Sequence, residues 1–393
     1  MKTVYLDNNA TTRVAPEVLE EMIPYLREWY GNPSSMHTFG GQLHRTIEEA
    51  RAKVAAFIGA EAEEIIFTSC GTESDNTAIM SAVESFPQKR HIVTTRVEHP
   101  AVLNFCKHLG RKGYRITFVP VNGQGQLNIA ELVKSLDDDT ILVSVMYANN
   151  EVGNVFPIAE IASVLKERRI LFHTDAVQAA GKIPLNMKEL PVDMASLSGH
   201  KLHAPKGIGV LYVRKGTRFF PYLIGGHQER GRRAGTENVA SIIGLGKACE
   251  IAAKTMEEDV SRMSRLRDKL ERALLERCPD VRINGDVSNR LPNTTNLSFA
   301  YVEGEAILLR LNEHGICASS GSACSSGSLE PSHVLRAMGV PFTMIHGSVR
   351  FSLSRSTTEA EVDRVIDVMP QVIADLRRMS PFGKARSETF TRP

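Results

Sequence analysis

Asp175 and Lys201 stand at the ends of consecutive apolar runs, and their side chains offer this sequence's clearest chemistry. The run Ile170, Leu171, Phe172 delivers Asp175. The run Met194, Ala195, Ser196, Leu197 delivers Ser198, Gly199, His200 and Lys201, and Ile208 to Val213 then leads the chain away. A lysine amine forms a Schiff base with an aldehyde. A carboxylate can keep a pyridine nitrogen protonated, so that the ring accepts electrons. Together these are the requirements of pyridoxal phosphate chemistry. A lysine alone is most often a solvated surface charge. The apolar strand and Gly-His before Lys201, with an acid at the preceding strand end, favour the Schiff base.

Other residues admit both a plain and a chemical reading. Gly71-Thr72-Glu73 opens a helix after a strand, either as an ordinary Thr cap or as a phosphate site on exposed N–H groups. Ser198 and His200 could complete the same cup. His99, before Pro100, is a polar turn residue or a ring that stacks on the pyridine and moves protons near neutral pH. Arg350 lies on a strand, facing water or gripping the carboxylate of an amino acid with two hydrogen bonds. The glycine-broken basic loop from Gly225 to Thr236 is a solvated segment, or a phosphate clamp lent to a neighbouring subunit.

Cys324 is the most informative residue. Free cysteines are usually buried small hydrophobes, and Cys317 after Gly-Ile reads that way. Cys324 has only Ser, Gly and Ala around it, which cannot bury it. An ordinary thiol is a few per cent ionised at neutral pH, and completing the ionisation costs roughly 2 kcal/mol. Catalysis supplies about 8 kcal/mol or more. A loop that carries the thiol to its target therefore matters more than deep tuning of its pKa.

The elements that position these residues follow from the pattern. Short apolar runs at 65–67, 91–95, 114–119, 141–146 and 170–172 alternate with helical segments near 72–83, 100–109, 158–168 and one ending at Leu136. Such alternation implies a mostly parallel sheet covered on both faces, with ligands at the carboxyl ends of its strands. Helices are expected at 15–27 and 40–58, and a long one from Ser241 to Cys278 bridges to a smaller α+β unit. The expected division is 15–257 for the large unit and 258–393 for the smaller one, joined by segment 1–14.

The 393 residues exceed the size of a single core, so two domains are the prior. The 47 basic and 45 acidic residues balance, which disfavours nucleic acid or a membrane surface as partner. Six cysteines without a CxxC pair indicate neither a disulfide framework nor a zinc site. The opening MKTVYLDNNATT lacks the apolar core of a signal segment, and no apolar run approaches the roughly 18 residues of a membrane span. A cytoplasmic enzyme without a metal is the expectation.

The stretches YLDNNATT, FTSCGTESDN, VEHPAV, YANNEVG, HTDAVQAAGK, SGHKLHAPKG, GGHQERGRRAGTEN, SSGSACSSGSLEPSHVLRAMG and VRFSLSR resemble the cysteine desulfurases. These belong to the fold-type I, class V pyridoxal-phosphate enzymes, and the resemblance is to the nitrogenase-associated NifS type. It implies a seven-stranded, mostly parallel sheet in the large domain, and conversion of L-cysteine to L-alanine with a persulfide formed on Cys324. Lys201 would carry the Schiff base, Asp175 the pyridine nitrogen, Gln178 the phenolate oxygen and His99 the ring face. Gly71, Thr72, Ser198 and His200 would hold the phosphate, with Thr236 from the other subunit of a homodimer. Asn150, also beside the cofactor, and Arg350 would bind the substrate carboxylate, and an iron–sulfur scaffold protein would accept the sulfur. Cys317 and Ser325 depart from the Ala and Thr of close relatives, which leaves Cys317 open as a second reactive thiol. Alternatives on the same fold are a general desulfurase, a selenocysteine lyase or an aminotransferase. A silent assembly platform is disfavoured by intact Lys201, Asp175 and Cys324.

Overall fold

The computed structural model describes residues 3–320 and 331–380. Seven strands form the main sheet, in the order Ile65–Thr68, Gly209–Val213, Met194–Ser198, Leu171–Asp175, Thr140–Ser144, His91–Thr95 and Arg115–Val119. Only Gly209–Val213 runs against its neighbours. The other adjacent pairs are parallel. The α/β sheet expected from the sequence is therefore present.

Side-chain alternation along a strand explains why both faces need cover. Ile65 and Phe67 enter one apolar cluster, which includes Val143, Phe172 and Leu245. Ile66 enters another, with Ile79, Val102 and Leu211. The helix Gly71–Ser85 packs across Met194–Ser198 and Gly209–Val213, and it is buried around most of its circumference.

The smaller sheet is antiparallel, with Thr294–Phe299 between Ser348–Ser352 and Val281–Asn284. A separate apolar cluster lies against it, including Leu270, Phe299, Leu311, Phe351 and Ile366. Val4 and Leu6 join that cluster, and Val4–Tyr5 pairs in parallel with Ile316–Cys317. The 39-residue helix Val239–Arg277 links the two regions, extending about 58 Å at 1.5 Å per residue. Leu245 and Ala248 bury in the first cluster, and Leu266, Leu270 and Leu274 in the other.

Three details differ from expectation. The strand expected at 170–172 continues to Asp175, Val281–Asn284 was not foreseen, and a short helix spans Phe342–Ile345. The His173 ring makes the first extension affordable for a buried strand. Its nitrogens lie 2.9 Å from Ser144 Oγ and 2.9 Å from Ser196 Oγ, on the strands to either side.

The basic loop is tied to the sheet by a buried ion pair. Arg51 Nη1 and Nη2 donate to Glu229 at 2.6 and 2.8 Å, and the Phe67 N–H donates to the same carboxylate at 2.9 Å. Both side chains are almost wholly enclosed. Breaking such a pair from one side leaves a buried charge without compensation. Glu229→Ala is expected to destabilise the fold by about 3–5 kcal/mol, read as a lower denaturant midpoint. An unchanged midpoint would remove the pair from any structural role.

Candidate active site

A cleft of about 310 Å³ opens at the carboxyl ends of the parallel strands. Its walls include Gly71, Thr72, His99, Asn150, Asp175, Gln178, Ser198, His200, Lys201 and Arg350. Those are the site residues expected from the sequence, apart from Thr236 and Cys324. Thr236 is exposed beside a different cavity, of about 210 Å³, that also meets Glu237 and Asn238. Cys324 lies outside the described residues.

Lys201 ends a tight turn, Gly199–Lys201, that follows the strand Met194–Ser198 directly. Gly199 is required there, because a Cβ would come within 2.6 Å of Ile208 Cγ2. The Lys201 amine donates to the carbonyls of Asn9 and Ala10, the latter at 2.8 Å. The segment after the strand Val4–Tyr5 thus supplies backbone oxygens to the amine. Side chains anchor that segment to the smaller sheet. Asn9 Nδ2 donates to Thr294 Oγ1 at 2.8 Å, and Asn9 N–H to Ser352 Oγ at 2.9 Å.

Asp175 ends its strand beside Ser196 of the next. Its Oδ1 accepts the Val177 N–H at 2.9 Å. Burial pushes its pKa up to about 6, against the opposing pull of the Val177 N–H and of Lys201. A protonated ring nitrogen beside it would stabilise the carboxylate in the same sense. Asp75, on the helix Gly71–Ser85, also reaches the cleft, and burial followed by the charge of Asp175 raises its pKa well above the usual range.

His99 caps the helix Pro100–Arg111, with Nδ1 accepting the Ala101 N–H at 3.2 Å. Burial, then Lys201 and His333, holds its pKa down at about 4. The ring is therefore neutral at physiological pH. Because Nδ1 accepts, the proton sits on Nε2, where it can be donated.

The phosphate cup is built from the start of the helix Gly71–Ser85. Cys70 at its cap is extended and makes no side-chain cap bond. Gly71 leaves the approach open, since a Cβ there would meet Val177 Cγ2 at 2.9 Å and Ser198 Cβ at 3.4 Å. Ser198 Oγ is buried and has no hydrogen-bond partner among the described residues. His200 Nδ1 lies 3.1 Å from Thr11 Oγ1, and burial followed by the charge of Lys201 lowers its pKa to about 4. A phosphate at this helix N-terminus would satisfy the orphaned hydroxyl and the terminal N–H groups together. With an amine and a carboxyl across the cleft, the donor set fits pyridoxal phosphate.

Arg350 is 2% exposed, and its Nη2 pairs with Asp7 Oδ1 at 2.6 Å. Its Nη1 donates to the Asn150 carbonyl at 2.9 Å, and Nε has no hydrogen-bond partner among the described residues. Asn150 thus meets Arg350 through its backbone. Ser319 is paired to Arg350 by backbone hydrogen bonds of 2.6 and 3.2 Å, so the chain leading to Cys324 leaves the strand of Arg350. Cys317 is half-buried in register with Tyr5 and is not among the cleft-lining residues. Among the described cleft residues the cysteine is Cys70.

Sequence reasoning missed Asn9, Ala10, Cys70, Asp75, Met146 and Val177 as cleft residues. Among the described residues, no helix is long and apolar enough to cross a membrane.

The chain matches the aminotransferase class-V family over residues 4–365. It is 64% identical over 382 residues to a cysteine desulfurase of Trichormus azollae, covering 97% of this chain and 96% of that one. It is 57% identical over 383 residues to the cysteine desulfurase NifS of Azotobacter vinelandii, covering 97% and 95%. A solved NifS-like protein superposes with a TM-score of 0.90 at 42% identity, covering 95% of this chain and all of the other. Pyridoxal 5′-phosphate is the cofactor of this family. A match spanning nearly the whole chain, with relatives more than half identical, places it among the pyridoxal-phosphate-dependent class-V aminotransferases, in the cysteine desulfurase branch of NifS type.

Proposed function

We propose that the protein converts L-cysteine to L-alanine and takes the released sulfur onto Cys324 as a persulfide. The observation that carries this reading is the single cleft in which the Lys201 amine, the Asp175 carboxyl and the orphaned Ser198 hydroxyl meet. Pyridoxal phosphate, held there by Lys201, would supply an electron sink for the charge left when the substrate Cα loses its proton. The Lys201 amine, when free of the cofactor, would be the base that takes that proton. Asp175 keeps the ring nitrogen protonated. Arg350 orients the substrate carboxylate beside Asn150, Gln178 contacts the ring oxygen, and neutral His99 donates or accepts protons over the ring face. Thr72, Ser198 and His200 hold the phosphate. The Cys324 thiolate attacks the substrate sulfur, so that the carbon–sulfur bond breaks and a sulfur–sulfur bond forms. A proton delivered to the departing Cβ, and one returned to Cα, complete alanine.

The working unit is a homodimer in the cytoplasm, in which Thr236 of each protomer serves the phosphate site of the other. The sulfur acceptor is an iron–sulfur scaffold protein, probed first among those dedicated to nitrogenase, as the NifS relative suggests. The two apolar clusters and the helix between them support a division near residue 257, with segment 1–14 joined to the smaller unit.

A single turnover with sulfur-labelled L-cysteine tests the reading. Alanine and label on the peptide containing Cys324 should appear in equal amounts. Label on Cys317 or Cys70 would contradict the assignment of the acceptor thiol, and absence of alanine would contradict the reaction.

A further inference from the structure

The chemistry proposed above leaves unused a buried lysine that adjoins Gln178. Lys182 is 6% exposed. It reaches its place through a tight turn in which Gly181 adopts φ +72°, and a side chain at 181 would strike Leu202 Cδ1. Lys182 N–H closes the turn onto the Ala179 carbonyl at 3.0 Å. The amine then lies against the residue four positions earlier, donating to the Gln178 carbonyl at 3.1 Å and to Gln178 Oε1 at 3.3 Å. On the other side, Gln178 Nε2 donates to the Asn9 carbonyl at 3.0 Å.

These two neighbours impose one orientation on the amide. The Asn9 carbonyl can only accept, so it requires nitrogen on its side. The ammonium form of the lysine can only donate, so it requires oxygen on its own side. Rotating the amide by half a turn would set oxygen against oxygen at Asn9. Gln178 itself is 4% exposed and lines the cleft, and Nε2 carries a second N–H beyond the one given to Asn9. A phenolate oxygen can only accept, so a reversed amide would repel it.

We propose that Lys182 is a positioning residue: it locks the Gln178 amide so that its N–H, and not its oxygen, meets the ring oxygen of bound pyridoxal phosphate. The inference rests on the assignment of Gln178 to that oxygen. A donor at the ring oxygen stabilises its negative charge, and so makes the proton shared with the Lys201 nitrogen easier to lose.

The amine is not the only charged neighbour. Lys201, His200 and His203 face it, with Asp259 and Arg355 across the adjoining cavity. Burial, then Lys201, lowers the Lys182 pKa to about 7. Removing Lys182 therefore also removes positive charge near Lys201, and the test must separate that effect from loss of orientation.

The experiment is a pH titration of the visible absorbance of the holoenzyme, with thermal melting as the check on folding. Lys182→Met should raise the titration midpoint by about one unit, and Gln178→Ala by a similar amount. The double variant should show no further rise beyond Gln178→Ala, because the lock has nothing left to hold. An equal rise from Lys182→Met with or without Gln178 would mean that charge acts on Lys201 through space, and would overturn the inference. So would a midpoint that Gln178→Ala moves and Lys182→Met does not, which leaves Gln178 at the ring oxygen. A midpoint that Gln178→Ala leaves in place removes Gln178 from that oxygen, and the lock with it. Lys182→Leu replaces Lys182→Met if the latter does not fold.

Discussion

Cys324→Ser is expected to lower alanine formation from L-cysteine by on the order of 10³-fold or more, while the bound cofactor keeps its visible absorbance. The substitution changes one atom. A serine hydroxyl is not measurably ionised at neutral pH, whereas a thiol of ordinary pKa is already a few per cent thiolate and strongly nucleophilic. The oxygen also cannot form the sulfur–sulfur bond that receives the departing atom. Fold and cofactor site do not depend on this residue, because the lysine, acid and phosphate positions come from the main sheet and its helices. Stopped-flow absorbance with alanine quantified at each time point measures the effect. Alanine produced at the unmodified rate would mean that sulfur leaves without this thiol, and the proposed transfer would fall.

Lys201→Ala should lower turnover by on the order of 10⁴-fold or more. Two functions are lost with one amine: the covalent link to the cofactor, and the base that takes the Cα proton. Borohydride treatment should then fix no cofactor to the variant, although the phosphate cup still binds it non-covalently. Small primary amines in the buffer should restore part of the proton-transfer step. The Asn9 and Ala10 carbonyls that hold the amine would be left facing an empty position, so rescue should saturate with amine concentration. Full activity in this variant, or borohydride fixation at another lysine, would displace Lys201 from the centre of the mechanism.

The sheet was legible because Ile, Val and Leu runs of strand length alternate with segments of helical period. The polar ends of strands were harder. The apolar run stops at Phe172, yet His173, Thr174 and Asp175 complete a buried strand, because Ser144 and Ser196 bracket the His173 ring. Val281–Asn284 went unseen because only two of its four residues are apolar and it follows a proline closely. At the site, side-chain chemistry marked Lys201, Asp175, Ser198, His200 and Thr72. Asn9 and Ala10 were invisible, since they act through carbonyl oxygens that every residue possesses. Lys182 stood in a quoted motif without a role, and its only signal was a lone cation in an Ala- and Gly-rich turn. The pairing of Arg350 with Asp7 joins residues 343 apart and has no local signature.

The ties from Asn9 to Thr294 and Ser352 also bear on biosynthesis. The ribosome adds Ser352 only 343 positions after its partner Asn9. At about 5–20 residues per second, that interval is roughly 20–70 seconds. Through most of translation the oxygen cage for the reactive amine is therefore incomplete, even after the main sheet has its strands. Vitamin capture in its final geometry thus belongs to a chain that has grown past Ser352 and not to a shorter nascent fragment.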